Sequence, residues 1–130
     1  LNHILDVVLH GTSATSTWYI APFEGNYTPV AGLTAATFTA AATECTAYDE
    51  ATRVAYVEAA ASGGVTTNAA SRAVFTINAS KTLYGAALLS ASAKSSTSGV
   101  CLAAARFSSS RAVVDNDEVA VSYSITLTST

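Results

Sequence analysis

Hydrophobic and polar positions alternate most cleanly over residues 118–128. There Val119, Val121, Tyr123, Ile125 and Leu127 are interleaved with Ala120, Ser122, Ser124, Thr126 and Thr128. A period of two puts one set on each face of a strand, whereas a helix would scatter these β-branched residues around its circumference. The pattern predicts one long strand in the middle of a sheet, with its apolar face on the core. At the other end of the chain Leu1, Ile4, Leu5, Val8 and Leu9 follow helical spacing, and Gly11 stands where helices commonly stop. Residues 1–10 therefore predict a helix with one apolar stripe. His3, Asp6 and His10 share its opposite, polar face.

Between these ends the pattern is shorter in range. Residues 17–21 are rich in strand formers, and Pro22 is expected to end that strand or mark an edge. Residues 33–43 are rich in Ala and Thr and fit a short helix and an irregular strand equally. Residues 54–59, 65–68 and 73–78 read as strands, with a turn signal at Ser62-Gly63-Gly64. Residues 83–92 are apolar on both faces, which predicts a central strand whose second face the N-terminal helix covers. Residues 94–99 are a Ser-rich hairpin loop leading to a strand over 100–107, and 108–111 a polar loop. Asp115-Asn116-Asp117 turns the chain into its last strand, Asn116 being best able to take a positive φ. Together these elements predict a mainly β protein: one domain, residues 1–130, folded as an antiparallel β-sandwich of about seven strands. Jelly-roll-like and immunoglobulin-like topologies fit equally, with one N-terminal α-helix packed on the sheet.

Composition narrows the role. Half of the 130 residues are hydrophobic and only 12% are charged, against a usual charged share of about 25%. Ala, Ser and Thr fill the difference, which suits a protein whose outside is largely covered in an assembly. The net charge is −3 and no run of Lys or Arg occurs, so binding of nucleic acid through a basic face is not expected. No window has the length of a membrane span. No segment has the make-up of a secretory signal, although a chain that starts at Leu1 leaves a processed leader open. Two cysteines, Cys45 and Cys101, are too few for a disulfide framework and are expected as free thiols.

The candidate chemistry is thin. His3 and His10 lie about 10 Å apart along a helix, so no more than two of His3, Asp6 and His10 can ligate one metal; a solvated helix face is the plainer reading. Asp49 and Glu50 are adjacent and point apart, which makes them turn residues, with Arg53 as an ion-pair partner. Asp115 to Glu118 offers oxygen ligands without the spacing or glycine of a calcium loop. Trp18 fits a sugar-stacking platform, and fits a core or helix-packing role better. The sequence carries no Gly-x-Ser-x-Gly elbow, phosphate loop, dinucleotide glycine pattern or zinc-protease helix. No catalytic, metal or cofactor site is expected, and the chain is not expected to be an enzyme.

Several stretches, in order along the chain, resemble a group of small structural proteins of tailed bacteriophages. They are Leu1-Asn2-His3-Ile4-Leu5-Asp6, Thr17-Trp18-Tyr19, Tyr27-Thr28-Pro29, Glu44-Cys45-Thr46-Ala47-Tyr48 with Glu50-Ala51-Thr52-Arg53, Phe75-Thr76-Ile77-Asn78 and Arg111-Ala112-Val113-Val114. The sequence departs from that group at Asn116-Asp117, where relatives often have Gly-Asp, and at Ala21-Pro22, where many have a Gly after the Trp-Tyr pair. The resemblance implies a virion component, foremost a capsid decoration or cement protein. Its partner would be the major capsid protein, its state a homo-oligomer (trimer or dimer), and its location the capsid surface after assembly in the bacterial cytoplasm. A tail or head–tail joint protein and a carbohydrate-binding β-sandwich are the alternatives. Tyr27, Tyr48, Arg53 and Tyr56 are the expected contact residues, because exposed Tyr and Arg are enriched at interface centres.

Overall fold

The structure, a computed structural model, describes residues 2–129. In chain order its elements are helix α1 (Asn2–Leu9), strand β1 (Trp18–Phe23), helix α2 (Ala35–Phe38) running into a π-helical turn (Thr39–Thr43), and strands β2 (Val54–Tyr56), β3 (Val65–Thr67), β4 (Ala73–Thr76), β5 (Lys81–Leu89), β6 (Cys101–Val113), β7 (Glu118–Val121) and β8 (Ser124–Thr126). The protein is mainly β with antiparallel sheets and an N-terminal helix. A four-stranded sheet has the order β2-β1-β5-β6, and two further pairs are β4–β7 and β3–β8.

Strands β1 and β5 form the spine because both of their faces are buried. On one face Ile20, Leu83, Ala86 and Leu88 meet Phe75 of β4 and Val121 of β7, with Ile125 of β8 at the margin. This is a sandwich-like two-layer packing. On the other face Ala21, Phe23, Ala87 and Leu89 meet Ala35, Phe38 and Ala42. The apolar character of residues 83–89 on both sides thus has the predicted cause, a central position. The cover of the second face is α2 and the π turn, and not the N-terminal helix. The ambiguous Ala/Thr stretch is helical, with the Thr34 N–H donating to the Thr37 hydroxyl at 3.1 Å where the helix starts.

Pro22 lies inside β1, opposite Ala86. Its carbonyl accepts from the Cys45 N–H at 2.9 Å. Carbonyl and nitrogen of one strand residue point the same way, so the missing N–H faces residue 45 and the ladder to β5 loses nothing.

The C-terminal alternation does not form one central strand. It is divided into β7 and β8, each with a single partner, β4 and β3 respectively. The divider is Asn68, whose side chain is buried. Its Oδ1 accepts from the Tyr123 N–H at 2.7 Å and its Nδ2 donates to the Val121 carbonyl at 3.2 Å. The Tyr56 hydroxyl donates to the Tyr123 carbonyl at 3.0 Å. These three side-chain bonds replace the ladder at the break, so the strand changes partner without leaving those groups unpaired.

Helix α1 is not packed by its stripe. No α1 residue is buried, and Leu5, Val8 and Leu9 are 55%, 71% and 78% exposed. His3, Ile4 and Val7 are the half-buried ones, and the His3 ring stands edge-on to Trp18 with centroids 5.6 Å apart. The helix therefore touches the body along a side made of His3, Ile4 and Val7, at one margin of the predicted stripe, while Leu5, Val8 and Leu9 of that stripe face outward and Asp6 and His10 stay exposed. Leu1 lies outside the described residues.

Strand β6 continues through residues 108–111, which the pattern marks as a loop. Its register with β5 breaks there: Leu83 faces Arg111 and Gly85 faces Arg106. Three β6 residues in this interval lack a counterpart, so the polar run is a wide bulge inside a strand. Asn116 has φ +69°, as its place in the turn predicts. The turn is held by the Asp117 carboxylate, which accepts from the Val114 N–H at 2.9 Å.

Candidate interaction surface

Burial overturns the exposure on which the expected contact residues rested. Tyr48, Arg53 and Tyr56 are 1%, 1% and 5% exposed. Only Tyr27 is half-exposed; its ring packs edge-on against Phe23 and its carbonyl accepts from Arg106 Nη1 at 3.3 Å. The three buried residues serve the fold instead. Tyr48 packs edge-on against Phe75 at 4.9 Å between centroids, and Lys94 Nζ sits 3.8 Å above its ring. That ammonium also donates to the Tyr48 carbonyl at 2.6 Å. Burial pushes the Tyr48 hydroxyl far above its ordinary pKa, with the Glu44 charge adding in the same direction. Tyr56 closes the strand break described above.

Arg53 forms an ion pair, as the sequence suggests, but with Glu44 and not with Asp49 or Glu50. Arg53 Nε reaches Glu44 Oε1 at 2.8 Å and Nη2 reaches Oε2 at 2.7 Å, both side chains being withdrawn from solvent. Two of the three remaining N–H groups are used as well. Nη1 donates to the Ala91 carbonyl at 2.9 Å and Nη2 to that of Ser96 at 3.1 Å. Glu44 Oε2 accepts further from the Thr39 hydroxyl and the Ser95 N–H, each at 3.1 Å. Four segments meet here: the π turn, the residue that follows it, the approach to β2, and the loop between β5 and β6. Burial of a charge pair is tolerable only where further hydrogen bonds satisfy most of its donors and acceptors, as these do. Glu50 caps the edge of β4, accepting from the Thr76 N–H and hydroxyl at 3.0–3.1 Å. Asp49 accepts from Asn78. Both acidic residues are used in holding the turn to β4.

Among the described residues no group of three His, Cys, Asp or Glu side chains is placed to hold a metal ion, and no helix is long and apolar enough to cross a membrane. Cys45 and Cys101 are free thiols, the first buried and the second half-buried, and burial raises the pKa of both.

The longest strand edge with a single partner among the described residues is the outer side of β6. This strand pairs with β5 alone, and at 13 residues it is far longer than the opposite edge, β2, which has three. Beside its first turns lies an open groove of about 740 Å³. One wall is Gly99 to Ala104, another the loop carrying Val30 and Leu33, and the end is closed by Asn2 and His3 of α1. No Asp, Glu, Lys or Arg lines it. Helix α1 reaches this groove through Asn2 and His3 of its first turn, while its exposed Leu5, Val8 and Leu9 lie outside the lining. Such a surface, apolar and bordered by unpaired backbone groups, can add a strand and cover a helix face; it has no acid–base pair with which to do chemistry. Sequence reasoning missed it because an edge and a central strand look alike in periodicity. The one available signal was the low-charge Ala/Ser run of residues 103–110. No protein-family model and no curated protein sequence matches this chain.

Proposed function

We propose that this chain is a structural protein of a tailed-bacteriophage virion, a decoration or cement protein that binds the major capsid protein and reinforces the shell. The observation that carries the reading is the long unpaired β6 edge beside an outward-facing apolar helix, two adhesive features side by side on a small, weakly charged domain. The resemblance in the Trp-Tyr, Tyr-Thr-Pro and Glu-Cys-Thr-Ala-Tyr stretches names the kind of assembly. A cement protein offers area and shape where an enzyme offers reactive groups. Binding of many copies to a preformed lattice would stabilise that lattice by mass action, and multivalency would strengthen the hold.

Imaging of the intact particle tests the proposal. The expected result is density for this fold on the outer face of the head, at contacts between capsomers, and a shell that loses heat resistance when the protein is left out. Density confined to the tail or to the head–tail joint overturns the decoration role and leaves a virion part of another kind.

A further inference from the structure

We infer that α1 is a detachable strap, clasped to the body through His3 on Trp18, which opens and closes while the β layers stay folded and which is helical only when closed. The hold is slight. No α1 residue is buried, and only His3, Ile4 and Val7 are half-buried. Among the described residues no backbone hydrogen bond and no ion pair joins α1 to the rest of the chain. The N–H groups of His10 and Thr12 turn back to the Asp6 carbonyl of the helix itself, at 3.0 and 3.1 Å. What remains is side-chain contact, and its defined member is the edge-on His3–Trp18 pair, 5.6 Å between centroids. Residues 10–17 lead from α1 to β1 without helix or strand, and all but Thr15 are exposed.

The helix has little stability of its own to add. It has eight residues, and an isolated helix shorter than about 12 is marginal in water. Ile4, Val7 and Val8 are β-branched and lose side-chain freedom in a helix. Its first turn holds no acidic residue and its last turn no basic one, so neither end of the helix dipole is complemented. Once undocked, α1 therefore unwinds, and closing and coiling are one equilibrium. Opening leaves the body intact, because among the described residues neither apolar cluster of the core includes a residue of α1. A segment held in this way opens locally, far more often than the whole chain unfolds. Release uncovers Trp18 where His3 lies against it, while the packing of Trp18 on the core remains. It also removes Asn2 and His3 from the end of the β6 groove. The inference concerns the chain alone and stands apart from the virion reading.

Amide hydrogen exchange on the full chain reads the strap directly. Residues 6–9 should exchange at least about a hundredfold faster than the centre of β5. Trp18 is the sole tryptophan, so acrylamide quenching of its fluorescence follows the same opening. Leu5→Gly alters a side chain that is 55% exposed and should move the equilibrium about threefold toward open, through lost helix propensity alone. Val8→Ala, at a side chain 71% exposed, should move it about twofold toward closed. His3→Ala removes the clasp and should open the strap at least about twofold. In all three variants the midpoint of global unfolding should stay that of the parent. Protection of α1 equal to that of β5, or a global midpoint that falls with Leu5→Gly, makes α1 part of the cooperative core and overturns the inference. Quenching of Trp18 that is indifferent to both Leu5→Gly and Val8→Ala overturns it as well, since closing and coiling are then separate. Should His3→Ala fail to fold, the two exposed-site variants decide alone.

Discussion

Arg53 and Glu44 meet along two parallel hydrogen bonds of 2.7 and 2.8 Å in the interior of a protein with few charges. They are the centre of a junction that ties the loop between β5 and β6 to the π turn. Arg53→Met should leave the Glu44 carboxylate buried with only the Thr39 and Ser95 donors. Loss of one partner of a buried pair costs about 3–5 kcal/mol. Thermal unfolding followed by circular dichroism should show Tm lowered by roughly 10–20 °C. A shift of a degree or two would mean that the junction is not a structural centre.

Asn68 should behave as a backbone surrogate. Asn68→Leu preserves approximate size and removes both bonds to the β7–β8 break. The unpaired Val121 carbonyl and Tyr123 N–H should cost about 1–3 kcal/mol each in denaturant unfolding. Amide exchange at Tyr123 should accelerate while that of β5 keeps its order of protection. Protection at Tyr123 equal to that of the parent chain would show that the strand closes without the side chain.

Gly85 is required by close approach. A Cβ there would overlap the Ala105 carbonyl oxygen and the Phe23 ring. Gly85→Ala should therefore destabilise by about 1–3 kcal/mol through overpacking at the start of the bulge. Gly32, which has open space around it, provides the matched control, and Gly32→Ala should be near neutral. Equal effects at the two positions would contradict the packing between β1, β5 and β6.

Alkaline pH should unfold the protein through its tyrosines. Burial raises Tyr123 from the ordinary 10 to about 12, and raises Tyr48 and Tyr56 as well. The folded state therefore holds these protons longer than the unfolded chain. Their contribution is fully present below pH 10 and is lost as pH climbs through the folded values. Tyrosinate absorbance from Tyr48, Tyr56 and Tyr123 should rise late and cooperatively, coincident with loss of structure. A single early stage with all six tyrosines titrating freely would rule out the burial described.

The amino-acid sequence by itself determined the class of the protein and much of its punctuation. Alternation marked β2 and β4, two-sided apolarity marked β5 as central, and Asn116 marked its turn, because each depends on neighbours within a few residues. Tertiary structure alone decided three matters. The final alternation is two strands because Asn68, some 55 residues away, reaches its backbone. Arg53 is interior because Glu44 arrives from the π turn to neutralise it. The stripe of α1 faces outward because α2 and the π turn already occupy the sheet face it was expected to cover. Periodicity states which residues of an element share a face; only the packed chain states which face is taken, and by what.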